Sequence, residues 1–130
     1  MNTLLRPDGL VRSPAFHHVA VVPAGASTVY IGGQNAVDGD GALVGGDDVA
    51  AQTRQVMANL RTALAAAGAE LGDVVLLTIL LVEGADLAAA YPVAAAELAG
   101  AAPPVAVARV AGLAVPGALV EVTAIAAVAP

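Results

Sequence analysis

The chain has 130 residues, 58% of them hydrophobic, and a formal charge of −6 from eleven acidic residues set against five arginines. That length fits one domain, residues 1–130, with room for a single core, and the negative balance without an arginine cluster argues against nucleic acid as a partner. Cysteine and lysine are both absent, which removes disulfides, thiolate nucleophiles, zinc–thiolate sites, Schiff bases to pyridoxal phosphate and phosphate-loop lysines.

Residues 1–15 read as an N-terminal arm. Its opening, Met1-Asn2-Thr3-Leu4-Leu5-Arg6-Pro7-Asp8, lacks the basic segment and apolar core of a secretory signal. The longest apolar stretch, Val74 to Val82, is broken by Thr78 and falls far short of the ~20 residues of a membrane helix. A cytoplasmic protein with no membrane partner is the expectation. Residues 17–22 and 28–32 are short β-type runs, and Pro23-Ala24-Gly25-Ala26-Ser27 between them reads as a hairpin connection. On a strand, His17 and His18 point to opposite faces and cannot share one metal, so no metal site is expected.

A polar turn, Asp38-Gly39-Asp40-Gly41, precedes Gly45-Gly46-Asp47-Asp48, which opens a helix. Val49, Val56, Met57, Leu60 and Leu64 recur at helical spacing, with Gln52, Arg54, Gln55, Asn59 and Arg61 marking the wet side. Asp47 or Asp48 caps the start, and Gly68 supplies the stop. Residues 74–82 are apolar on both alternating faces, as in a strand covered on both sides. A second, alanine-rich helix begins near Asp86, is either interrupted or properly started by Pro92, and stops at Gly100. Two further β-type runs, about 105–111 and 118–128, complete the order ββαβαββ. Two helices cover only one face of such a sheet, and the other face needs a second copy of the chain to cover it.

Glu121 stands out at the end of this order. It is the only charged residue after Arg109, and it sits in the apolar run Ala118-Leu119-Val120-Glu121-Val122-Thr123-Ala124-Ile125-Ala126. A buried carboxylate is paired, protonated or put to use; on an edge strand its head simply reaches water.

Several segments, taken in order, resemble the RidA/YjgF family: Thr28-Val29-Tyr30-Ile31-Gly32-Gly33-Gln34; Asp48 through Leu60; Ala65-Ala66-Ala67-Gly68-Ala69 with Leu71, Asp73, Val74 and Val75; and Val120-Glu121-Val122-Thr123-Ala124-Ile125-Ala126. The resemblance spans about Phe16 to Ala126. It implies an α+β, chorismate-mutase-like ββαβαββ subunit with a mixed sheet and two helices on one face, and a homotrimer with small-molecule sites in the clefts between subunits. It implies hydrolysis of reactive enamines or imines such as 2-aminoacrylate to a 2-keto acid and ammonia, with no cofactor. An arginine grips the substrate carboxylate, and a glutamate on the last strand handles the attacking water. Glu121 takes the glutamate's place.

The arginine's place falls on Val105, counted from Pro103 and Leu113, and neither Pro104 nor Ala106 could serve instead. Other positions differ too: Phe16 stands where the family has tyrosine, Gly32 where serine is common before Gly33-Gln34, and Tyr91 where active deaminases often have asparagine. A charge-assisted hydrogen bond contributes about 1.5–3 kcal/mol, and an unpaired buried carboxylate adds a desolvation cost. Together these imply a loss of about a thousandfold against small 2-imino acids. Arg109 lies ~13 Å along the strand from Val105; it either reaches the substrate or pairs at the surface with Glu97 or another acid. His17 or His18 serves at a sheet edge or in the cleft, and Gln34 and Asn35 either donate into the cleft or cap the strand end.

Overall fold

The computed structural model describes residues 1–130. Its strands are β1 (Thr3–Leu5), β2 (Val19–Val21), β3 (Ser27–Gln34), β4 (Val74–Val82), β5 (Val105–Val110) and β6 (Val120–Val128). Its helices are α1 (Val49–Ala66) and α2 (Leu87–Leu98), with a 3₁₀ turn at Leu71–Asp73 before β4. The main sheet has the order β3-β6-β4-β5, with β4 and β5 parallel and the other neighbours antiparallel. This is the mixed α+β sheet expected, but the chain carries one strand more at its N-terminus, which forms a separate two-stranded sheet with β2.

That extra strand corrects the reading of the chain's start. β2 does not form a hairpin with the strand after it; it pairs antiparallel with β1 from the arm, Leu5 opposite Val19 and Thr3 opposite Val21. β3 takes β6 as its partner instead. Gly25, at φ 82°, lets the connection turn away from the small sheet toward the large one. Apolar alternation marks a strand but does not say which strand lies beside it.

Helix α1 forms where its spacing places it. The Asp48 carboxylate caps it by accepting from the amides of Ala50 and Ala51, and Gly68 follows its end at φ 71°. Val49, Val56, Met57, Leu60 and Leu64 are all buried against the sheet. Gln52 corrects the wet-side assignment, because it is fully buried. Its amide donates to the carbonyls of Gly46 (2.6 Å) and Gly117 (2.9 Å), and its carbonyl accepts from Leu119 N–H at 2.8 Å. One side chain thus ties the start of α1 to the loop that feeds β6. In α2, Asp86 caps the first turn, and Pro92 neither starts nor interrupts the helix, which runs on to Leu98 and ends at Ala99 (φ 52°) and Gly100 (φ 89°).

The core lies between these helices and one face of the sheet. Leu77 and Leu81 of β4 and Val120, Val122, Ala124 and Ala126 of β6 turn inward and are buried. Away from Ala127, which is buried beside Asn2 of the arm, the opposite face is largely uncovered within the chain: Tyr30 is 76% exposed and Leu76 37%.

Replacing Gln52 with alanine removes the partner of the half-buried Leu119 N–H and of the Gly46 and Gly117 carbonyls, whose residues are exposed and can turn to water. The unpaired amide costs about 1–3 kcal/mol and each carbonyl bond that passes to water about 0.5–1.5 kcal/mol, so Gln52→Ala should destabilise the protein by ~2–6 kcal/mol in urea unfolding at fixed concentration. A loss below ~0.5 kcal/mol would show that the tether is dispensable.

Candidate functional site

Strand alternation sets where Glu121 goes. Val120 and Val122 face the core, so the side chain between them leaves on the open face, where Glu121 pairs in register with Leu80 of β4. Next to it, β3 carries a bulge: Ile31 pairs with Ala124 but Gln34 with Val122, so Gly32 and Gly33 span the irregular step. The Glu121 carboxylate lies directly over Gly33. A Cβ at that position would stand 2.9 Å from the carboxyl carbon and 3.1 and 3.2 Å from its two oxygens. Only glycine leaves that space.

No cation within the chain meets this carboxylate. The two ion pairs are Arg12–Asp8 and Arg61–Glu97, and Glu121 appears in neither. The Gln34 amide donates to Gly32 O at 3.2 Å, and Asn35 reaches Val120 O at 3.4 Å, so both serve the strand end. Glu121 is half-buried, with both oxygens free for a ligand.

Phe16, Tyr91 and Val105 lie elsewhere. All three line a cavity of about 500 Å³ between the inner face of the sheet, α2 and the arm segment 13–16. Val105 pairs with Leu77, and Leu77 with Ala124, so Val105 sits two strands across from β6 and three residues along it from Glu121. With ~4.8 Å between strands and ~3.3 Å per residue, the two backbones are roughly 14 Å apart and their side chains leave on opposite faces. One chain therefore does not bring Glu121 and Val105 to one small substrate.

His17 lies beside the cavity without lining it. Its amide donates to Ala102 O at 2.9 Å and its Nδ1 meets the same oxygen at 2.6 Å, which makes Nδ1 the protonated nitrogen. His18 Nε2 similarly meets Val11 O at 2.7 Å, and its ring packs edge-on against Phe16. Arg109 donates to Ala85 O at 3.1 Å, and the acid expected for it, Glu97, is held by Arg61 at 2.6 Å. No three acidic or histidine side chains converge as a metal site would require, and no helix is long and apolar enough to cross a membrane.

The sequence did not mark Val107, which extends the cavity wall beside Val105, and it misassigned Gln52, which fixes the entry to β6. Gln52 had a legible signal: it falls three residues after Val49 and four before Val56, inside the apolar stripe.

A helix pair on one face of a mixed sheet, a largely uncovered second face and a glutamate over a glycine bulge define an α+β domain. The sequence model of the family described as endoribonuclease L-PSP matches residues 12–128, and the chain belongs to that family, whose structural relatives carry the Rid and YjgF names. Among solved structures it is similar to YyfB of Yersinia pestis, a Rid-family protein of unknown function. The identity is 37%, over 96% of this chain and 97% of that one, and the TM-score is 0.86. RidA from the Antarctic bacterium Psychrobacter sp. PAMC 21119 is 32% identical over 89% of this chain and 96% of its own (TM-score 0.69). A YjgF/YER057c/UK114 family member from Mycobacterium tuberculosis is 27% identical over 98% of this chain and all of its own (TM-score 0.66). None of the curated proteins compared with the chain matches it.

Gly33→Ala should push the Glu121 carboxylate off its position while leaving the fold intact, since the clash falls on the end of a flexible side chain. A crystal structure of the variant with Glu121 unmoved would contradict the packing described.

Proposed function

We propose that the protein hydrolyses imine, enamine or related C–N bonds in clefts between the subunits of a homotrimer, with Glu121 as the group that activates water. The single observation carrying this reading is the placement of Glu121: a carboxylate with no partner in its own chain, held over Gly33 on the sheet face that lacks a cover. A second copy docked on that face covers its apolar residues. It also brings the cavity mouth of one subunit, with Phe16, Tyr91 and Val105, toward the Glu121, Gly32, Gly33 and Gln34 of its neighbour. His17 stands behind this cleft, holding the arm through Ala102.

In the reaction, water oxygen bonds to the C=N carbon as the carboxylate takes one proton from it, and the π pair moves onto nitrogen. The carboxylic acid then gives that proton to nitrogen, forming the carbinolamine. In the second half, Glu121 moves the carbinol hydroxyl proton to nitrogen. The C–N bond breaks with its electron pair, and a carbonyl compound and ammonia leave. One water is consumed and Glu121 ends ionised, so no cofactor is needed for balance.

Val105 limits the substrate. With a valine where the resemblance places the carboxylate-gripping arginine, the cleft offers a 2-imino acid no bidentate partner. The family description names an endoribonuclease, but the charge of −6 and the scattered arginines favour a small neutral substrate over RNA.

Glu121→Gln should lose at least about a hundredfold in ammonia release, the usual scale for a missing proton-transfer group, with the mass by light scattering still that of a trimer. Equal turnover would remove Glu121 from the chemistry, and a monomeric mass for the wild type would remove the cleft. With freshly generated 2-aminoacrylate, the wild type should run about a thousandfold below an arginine-bearing relative, and Val105→Arg should recover part of that loss. Activity equal to the relative's would show that the arginine is not needed here. If ligands bind in the cleft and none is turned over, the trimer is a small-molecule binder instead.

A further inference from the structure

The cavity beneath α2 is left by the sequence of that helix. The residues it turns to the cavity are Leu87, Ala90, Tyr91, Ala94 and Leu98, with the exposed Tyr91 at the rim and alanine at 90 and 94 over the interior. Alanine does not reach the inner face of the sheet, where Ile79, Val107 and Val122 form the facing wall, and a space of about 500 Å³ remains. That volume lies within the ~300–1,000 Å³ of small-molecule sites.

Its polar groups are few and mostly committed. Thr53 is buried and its hydroxyl donates to Val49 O at 2.7 Å, while Ser13 Oγ accepts from Ala15 N–H at 3.1 Å. No charged residue lines it. The arginines are engaged elsewhere or lie off the cavity: Arg6 on the carbonyls of Ser13, Pro14 and Phe16, Arg12 on Asp8, Arg61 on Glu97, Arg109 on Ala85 O, and Arg54 exposed on α1. A cavity without available polar partners holds water poorly and takes hydrocarbon, and an anion within it would be unpaired. Of the three hydroxyls in the lining, only that of Tyr91, 55% exposed at the rim, has no partner, and Val107 beside the mouth is 53% exposed. Entry is therefore open on the side where Val105 forms part of the wall.

We infer that this cavity binds an uncharged apolar group of about the size of a phenyl or cyclohexyl ring, with one carbonyl or imine head at the rim near Tyr91. Resting on the hydrolase reading above, this makes the substrates neutral ketimines, R₂C=NH + H₂O → R₂C=O + NH₃, rather than small 2-imino acids. The product ketones are stable stand-ins for them.

The test titrates the intact oligomer by calorimetry with acetophenone, cyclohexanone and pyruvate. Acetophenone should bind at least about tenfold more tightly than pyruvate, as the burial of several additional apolar carbons implies. Filling the space with Ala94→Phe, or blocking its mouth with Val107→Trp should the first variant fail to fold, should reduce that binding by at least about tenfold. Pyruvate binding as tightly as acetophenone, or acetophenone binding that a folded filled variant leaves unchanged, would overturn the inference. Ammonia release from freshly dissolved acetophenone imine, corrected for spontaneous hydrolysis, separates the two proposals. Filling-sensitive binding with no release upholds the cavity and sinks the hydrolase reading. Release from small imino acids with no acetophenone binding does the reverse.

Discussion

Everything about the candidate site follows from the alternation of side chains on β6, the strand between β3 and β4. Val120, Val122, Ala124 and Ala126 turn inward to close the core under α1 and α2, and the same geometry sends Glu121 to the other face. The charge is therefore a by-product of no defect in the core pattern. It stands on the face the helices do not cover, beside a glycine bulge that leaves its carboxylate room. A one-residue slip of β6 would bury Glu121 and expose its valines, which makes the register costly to change. Gln52 guards that register from the far side of the sheet, by holding Leu119 N–H and Gly117 O just before β6 begins.

The helices and the sheet perform different tasks for function. The sheet's open face presents Glu121, whereas α2 contributes a deficit of volume. Ala90 and Ala94 are too short to fill the space beneath the helix. Valine at 105 and at 107 continues the apolar lining to the mouth. The cavity wall is thus largely apolar and uncharged throughout, which is what the proposed preference for ligands without a carboxylate rests on.

Much of the fold was legible because it rests on periodicity within one segment. The α1 stripe, the Asp48 cap, the Gly68 stop and the apolar β4 each follow from neighbours a few residues away. The partner of β2 was not, because pairing depends on contacts far along the chain, and Val19 and Val21 fit Leu5 and Thr3 as well as any strand. Gln52 was misplaced for a related reason: polarity was taken to mean solvent, though its position in the stripe and the three backbone groups around it called for a buried amide. Glu121 was legible as a lone charge in an apolar run, and its role came from the family resemblance alone. Its separation from Val105 was not legible, since parity within a strand is readable but parity across strands depends on register and on the bulge at Gly32 and Gly33.

The central claim is that the site is shared between subunits, and subunit mixing tests it most directly. Glu121→Gln lacks the carboxylate and Val107→Trp closes the cavity, so each homo-oligomer should be inactive in ammonia release. If the two are unfolded together in equal amounts and refolded as mixed trimers, independent assortment gives about one quarter of the clefts an intact cavity facing an intact Glu121. The account predicts recovery of about a quarter of wild-type activity. Mixed trimers that stay as inactive as their parents would contradict it, since a site built within one chain has no intact copy in either variant.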